Sequence, residues 1–366
     1  MSKSYAYIGT YTRRMDHVHG KADGIHVIEF DAKDGSMREI NRSEAVMNSS
    51  YLCQNAAGNR LYAISEIYDY EGREDGCLSV FEIGKDHHIQ KLQECSSLGK
   101  GPAYIKLDQS GSWLLCANYV EGNMAVYPVN TNGHLGAPTD SIQLSGSGPN
   151  TERQEAPHPH AAFTSPDNRF AFLVDLGTDR ICSYELDVNE GKLQHGPVFH
   201  APGGSGPRHM LFNATGEIAY CVLELTSEIA VLRYAAETGE FGLLDLVSTL
   251  PENHQGASHC SELCLSQDGR HLYVANRGHN TIATLAVDPT SGLLALMGHT
   301  DCQGNIPRHM CLSPTDSHLL IANQQSDLLA CLKRDPDTGL LTPTEHSLAI
   351  PTPAFVEFGA DVVTAN

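Results

Sequence analysis

The chain alternates short apolar runs with polar turns, and within the runs hydrophobic positions recur with the two-residue period of half-buried β-strands. The runs group into a repeating unit: apolar strand a, tight turn, apolar strand b, loop, strand c ending near Asp or Glu, turn, strand d. Its period of roughly 50 residues lies in the range of propeller blades. Strand b marks the repeat most clearly, at 61–66, 114–119, 171–176, 219–224, 272–277 and 319–324. A seventh copy stands at 6–11 with no strand a before it, and an orphan strand a stands at 353–358 with no strand b after it. Pairing the two closes a ring and removes the exposed sheet edges of an open array. The expected fold is all-β: a seven-bladed β-propeller of four-stranded antiparallel blades, one domain over 1–366, its ring closed by pairing of the N-terminal and C-terminal strands.

The turns agree. Between strands c and d stand Asp34-Gly35, Asn132-Gly133, Glu190-Gly191, Thr238-Gly239, Ser291-Gly292 and Thr338-Gly339. Such pairs supply the positive-φ positions of short hairpins. The long segments, 12–24, 67–76 and 145–157, all fall where strand b ends and strand a begins. One mouth of the ring is therefore elaborated and the other bare, the usual division between binding face and scaffold.

Polar residues break the apolar repeat at that mouth. The ends of strand b carry Tyr11, Glu66, Tyr119, Leu176, Glu224, Arg277 and Gln324; the starts of strand a include Tyr51, His160, Arg208, Ser261 and Arg308. Packing alone gives a repeat no reason to vary chemically there, so the variation marks a candidate site. His160, Arg208, Glu224 and Arg277 come from three consecutive blades and bring together an imidazole, a carboxylate and two guanidiniums. An imidazole beside a carboxylate suits proton abstraction from water, and guanidiniums suit an oxyanion, a carboxylate or a phosphate. A structural reading stands beside this one: Glu224 and Arg277 as an ion pair between blades, with His209 and His309, in the repeated Arg-His pairs, as packing residues.

Composition narrows the partners. A formal net charge of −20 excludes a nucleic-acid or anionic-membrane partner, since either needs a basic footprint. No stretch approaches the ~20 apolar residues of a membrane span, and the first residues lack the apolar segment of a signal peptide. The eleven cysteines form no CxxC pair and lie mostly in expected strands, which reads as reduced thiols in a cytoplasmic protein. A closed propeller completes its core without a partner, so a monomer is expected. His158-Pro159-His160 and His17-Val18-His19 have a metal-ligand spacing but no acidic or Cys cluster beside them, and neither metal nor cofactor is expected. Gly203-Gly204-Ser205-Gly206 has phosphate-cradle composition but no helix start after it.

Several motifs carry a resemblance. Tyr7-Ile8-Gly9-Thr10-Tyr11-Thr12, Glu152-Arg153-Gln154-Glu155-Ala156-Pro157-His158-Pro159-His160, Gly206-Pro207-Arg208-His209-Met210, Glu224-Leu225 and Ala275-Asn276-Arg277-Gly278 occur in order across the chain. Together they resemble the propeller-type 6-phosphogluconolactonase family, which also includes the fungal carboxymuconate cyclase. Leu223 stands where the family often has Asn, and His309-Met310 where Asp-Phe is common. The resemblance implies hydrolysis of a small anionic sugar lactone, 6-phospho-D-glucono-1,5-lactone, with active-site residues at His160, Arg208, Glu224 and Arg277. His160 or Glu224 would deprotonate water, Arg208 and Arg277 would stabilise the oxyanion or hold the anion, and Arg308 or Arg153 would help grip the phosphate. Tyr11, Glu66, Tyr119 and Gln324 complete the expected substrate-binding set. Lactonisation of a muconate, opening of an unphosphorylated aldonolactone, and a non-catalytic platform remain open as alternatives; the last would favour a large apolar patch, and the chain has one Trp.

Overall fold

The computed structural model describes residues 3–359. They form seven four-stranded antiparallel sheets and one two-stranded hairpin. Blade 1 joins Pro353–Phe358 to Lys3–Thr10, His26–Asp31 and Met37–Arg42. Blades 2 to 7 follow in chain order, beginning at Leu52–Gln54, Pro102–Leu107, Pro159–Thr164, Pro207–Phe212, His259–Leu265 and Pro307–Leu312. These first strands pack beside one another around the central axis. The closure is antiparallel, with Ile8 opposite Val356 and Ala6 opposite Phe358. The split copy read from the two termini is thus the sheet that closes the ring.

Burial explains the sequence pattern. Strand b of blade 4, Phe170–Asp175, is buried at every position because neighbouring blades cover both its faces. The outer strand of that blade, Lys192–His200, alternates between exposed and covered positions. A fully buried strand reads as a continuous apolar run and a half-buried one as an alternating run. Apolar clusters lie between blades, as where Tyr220 and Val222 of blade 5 meet Leu272 and Val274 of blade 6. Among the described residues the one helical element is a 3₁₀ turn, Gln324–Ser326, and no helix is long and apolar enough to cross a membrane.

Each c–d turn also locks onto the preceding blade. Gly191 of blade 4 has φ +62°, and a Cβ there would lie 2.2 Å from the Trp113 ring of blade 3. The same turn accepts the indole hydrogen bond, Trp113 Nε1 to Val188 O at 2.9 Å. Gly191→Ala therefore combines backbone strain with a clash against a rigid ring, and is expected to cost about 2–4 kcal/mol. Gly111→Ala is the control: its φ is +72°, yet nothing stands within 4 Å of the new Cβ. It should cost about 1 kcal/mol. Equal losses in urea-melt midpoint for the two variants would show that the turn does not bear on Trp113.

Candidate active site

Proline and a bulge aim the key side chains. Strand a of blades 3, 4, 5 and 7 opens on Pro102, Pro159, Pro207 and Pro307, and in each the ladder register shifts just after the proline. A bulge leaves the next residue out of the ladder and re-aims its side chain. Those residues are Ala103, His160, Arg208 and Arg308. On the facing strands, Glu66, Tyr119 and Glu224 stand one step past the last paired residue, while Arg277 ends its strand. Apart from Arg277, which stands opposite His259 in the ladder, these mouth residues occupy positions released from pairing.

Glu224 is the centre of the arrangement. Arg153 Nη2 donates to its Oε1 at 2.6 Å, while Arg208 Nε and Arg277 Nη2 lie 3.0 and 2.8 Å from Oε2. Burial alone would raise its pKa, but Arg277, Arg153 and Arg208 outweigh it and hold the carboxyl well below the ordinary range. The suspected Glu224–Arg277 ion pair exists as one edge of a four-residue cluster. Arg153 arrives from the 145–157 segment, anchored by Gln154, whose Nε2 donates to Leu176 O and Asp179 Oδ1, both at 2.8 Å.

His160 stands beside this cluster. Burial, then the Arg208 guanidinium, holds its imidazole well below the usual value, so it is neutral at pH 7. Its Nδ1 lies 3.2 Å from His209 Nε2. Arg208 is only 2% exposed, donates to the Ser261 carbonyl, and has its pKa lowered to about 10 by burial. It sits beneath the cavity floor rather than on its wall.

A cavity of about 440 Å³ opens above, lined by Tyr119, Arg153, His160, Glu224, Arg277 and Arg308 among others. A second, of about 590 Å³, shares His17, His259, Arg277 and Arg308 with it and adds His19, Lys21 and Gln324. Glu66 lies on the first cavity's wall, accepting from Tyr11 Oη at 2.7 Å and Ser50 Oγ at 2.5 Å, with Arg308 Nη2 at 3.9 Å. The cavity walls thus carry Arg153, Arg277 and Arg308 against Glu66 and Glu224, so the site is locally cationic despite the net charge of −20.

Several expectations need correction. Tyr11 is fully buried and reaches Glu66 and the Arg308 guanidinium rather than the cavity. Gln324 faces the second cavity alone. Tyr51 lies one level deeper, against Tyr104, His209 and His309, because Ser50 is the true equivalent of His160. His158 does not join His160 in a ligand pair; its nitrogens face Tyr119 O and Glu155 Oε1, both at 3.0 Å, while its ring stacks on Tyr119. The Gly204 and Gly206 amides donate to Asp179, which a phosphate could not share. His209 and His309 do more than pack: Glu262 Oε2 lies 2.8 Å from His209 Nδ1 and 3.0 Å from His309 Nε2.

Lys21 and His259 were not singled out from the sequence, and His17 and His19 stood there only as candidate metal ligands. Lys21, His17 and His19 arrive on the 12–24 segment, folded around the hairpin Arg14–Met15 and Val18–His19. Its length was the available signal.

The model of a family described as lactonase, seven-bladed β-propeller, matches residues 5–358. A 6-phosphogluconolactonase of Bacillus subtilis is 33% identical over 309 residues, 84% of either chain. A periplasmic gluconolactonase of Pseudomonas aeruginosa superposes with a TM-score of 0.89 at 32% identity, covering 98% of this chain and 99% of that one. A putative 6-phosphogluconolactonase of Bacteroides fragilis gives 0.87 at 30%, covering 98% of each. With its ring, its bulged inner strands and its arginine-bound glutamate, the chain belongs to the seven-bladed β-propeller lactonase family.

Proposed function

We propose that the protein hydrolyses 6-phospho-D-glucono-1,5-lactone, with His160 as the base. The observation that carries this reading is a neutral His160 beside an ionised, triply arginine-bound Glu224 at one cavity floor. Glu224 is too strongly held in its charged form to take a proton, whereas the neutral imidazole offers a lone pair. Water loses a proton to His160 Nε2 as its oxygen bonds to the ring carbonyl carbon. The carbonyl oxygen becomes an oxyanion, stabilised by the guanidiniums on the cavity wall, Arg277 and Arg153. On collapse the bond from that carbon to the ring oxygen breaks, and the proton on Nε2 passes to the departing oxygen. The products are the open hydroxy acid and a restored His160. Arg208 acts from below by fixing Glu224, which in turn orients Arg277 and Arg153.

The second cavity supports the phosphorylated substrate. Among the described residues its walls carry His17, His19, Lys21, Arg277 and Arg308 and no carboxylate, with the Lys21 ammonium tied back to Asp327 at 2.6 Å, and it opens directly beside the reaction cavity. A dianion attached away from the lactone carbonyl would meet these groups. The competing substrate is the unphosphorylated lactone, in keeping with the name of the Pseudomonas relative. The phosphorylated lactone should show the higher kcat/KM, and Arg308→Gln should cut that advantage by about 10–100-fold, the loss of one charge-assisted contact. Equal kcat/KM for the two lactones in the unmodified protein would overturn the phosphorylated assignment.

A further inference from the structure

One level below His160, three consecutive inner strands place His209, Glu262 and His309 side by side around the channel. All three are buried, and aromatic rings close around them: Tyr51 meets both imidazoles edge-on, Tyr104 meets His209, and Phe355 lies against His309. We propose that Glu262 and His209 form a hydrogen-bonded relay that fixes His160 in the Nδ1–H tautomer, leaving Nε2 as the proton acceptor of the lactonase reaction. His209 and Glu262 are then positioning residues, acting through His160.

Donor and acceptor rules give the direction of every bond. Glu262 Oε2 faces His209 Nδ1 and His309 Nε2, and Oε1 accepts from the Leu263 amide at 3.1 Å. An ionised carboxylate only accepts, so both facing ring nitrogens carry hydrogen. Burial would raise the Glu262 pKa, but pairing with His209 and His309 holds the carboxyl well below the ordinary range; with neutral imidazoles the part that persists is their two N–H hydrogen bonds and that of the Leu263 amide. On His309 the remaining Nδ1 is met by the Val356 amide at 3.4 Å, which requires a lone pair there. His309 is therefore internally consistent as the Nε2–H tautomer.

His209 is held neutral, its pKa lowered to about 4 by burial. With its one proton on Nδ1, its Nε2 is a lone pair. That lone pair lies 3.2 Å from His160 Nδ1. Two lone pairs repel, so His160 Nδ1 must be the N–H. Arg208 Nη1 also lies 3.3 Å from His209 Nδ1, but both are donors, and the arginine's acceptor there is the Ser261 carbonyl. Among the described residues no hydrogen bond engages His160 Nε2, and the ring lines the reaction cavity.

The relay also supports the charged state of the reaction. When Nε2 gains the proton from water, the Nδ1–H of the imidazolium points at His209, whose far N–H rests on the Glu262 carboxylate. Positive charge is thus drawn toward an anion without placing a carboxylate against His160 itself. This offsets part of what burial and Arg208 take from its basicity.

The inference rests on His160 acting as the base, and the decisive measurement needs no turnover. Nitrogen-15 spectra of histidine-labelled protein at neutral pH should show His160 Nδ1 as pyrrole-like and Nε2 as pyridine-like. The reverse assignment overturns the relay whichever lactone is hydrolysed. His209→Gln keeps a carbonyl oxygen for His160 Nδ1–H and an amide donor for Glu262; it should keep the tautomer and stay within about 10-fold of the unmodified kcat. His209→Leu removes the acceptor and should lose the fixed tautomer and about 10²-fold in kcat, with KM little changed. An unchanged tautomer and kcat in His209→Leu would equally sink the idea. If that variant does not fold, the spectra of the unmodified protein and of His209→Gln decide the matter.

Discussion

Replacing His160 by alanine should lower kcat for lactone hydrolysis by about 10²–10⁴-fold, the usual contribution of a positioned general base. The protein should remain folded, because the ring lines the cavity and its loss removes only two edge-on ring contacts, with Tyr119 and His209 of the neighbouring blades, and one hydrogen bond. Substrate affinity should change little, since the arginines of the wall are left in place. Sugar lactones open slowly by themselves, so the comparison is with the rate above that background. Losing the base should also change the pH profile. The folded-state pKa of His160 lies well below 6.5, so the unmodified protein stays active until pH falls well below that value, and activity then declines as the imidazole takes a proton. Without the imidazole that plateau should give way to a rate rising with hydroxide. A His160→Ala variant within about threefold of the unmodified kcat would remove His160 from the chemistry.

How far the sequence carried this assignment follows from where each residue's direction is decided. The propeller was legible because every blade repeats one burial pattern: a strand such as Phe170–Asp175, covered on both faces, must be apolar throughout. The split blade was legible for the same reason, since 6–11 and 353–358 each lacked a partner of known type. His160, Arg208, Glu224 and Arg277 stood out as departures from that repeat, and the first two and the last gather around the Glu224 carboxylate. Their depths were not legible. The bulge after Pro207 sends Arg208 under the floor, and the corresponding bulge after Pro159 presents His160 to the cavity, a difference that no period encodes. Groups delivered by loops were hidden further: Lys21 and His17 reach the second cavity through a hairpin whose shape depends on contacts such as Lys21 N–H to Thr352 Oγ1 at 2.8 Å, 331 residues away. Glu262 did leave a signal, a carboxylate amid the apolar inner strand. Its meaning depended on two imidazoles from the neighbouring blades on either side, and adjacency around a ring is set by closure.

Glu224→Gln is the substitution expected to cost most in stability, about 3–5 kcal/mol, as when one partner of a buried ion pair is removed. The glutamine side chain fits the same space, so the loss would come from charge rather than shape. Arg208, 2% exposed, would keep a guanidinium whose anion is gone, while Arg277 and Arg153 would repel it and each other. Activity should fall with stability, because the two wall arginines lose the carboxylate that aims them. A second variant separates the two effects. Adding Arg208→Met to Glu224→Gln removes the stranded buried charge and fills its place with an apolar chain, which should restore much of the urea midpoint. Activity should stay low, since Arg277 and Arg153 remain unanchored. Recovery of stability without recovery of rate would locate the catalytic value of Glu224 in orientation of the wall arginines. If instead the single variant melts with the unmodified protein, the three guanidiniums are solvated without it, and Glu224 is not the clamp of this site.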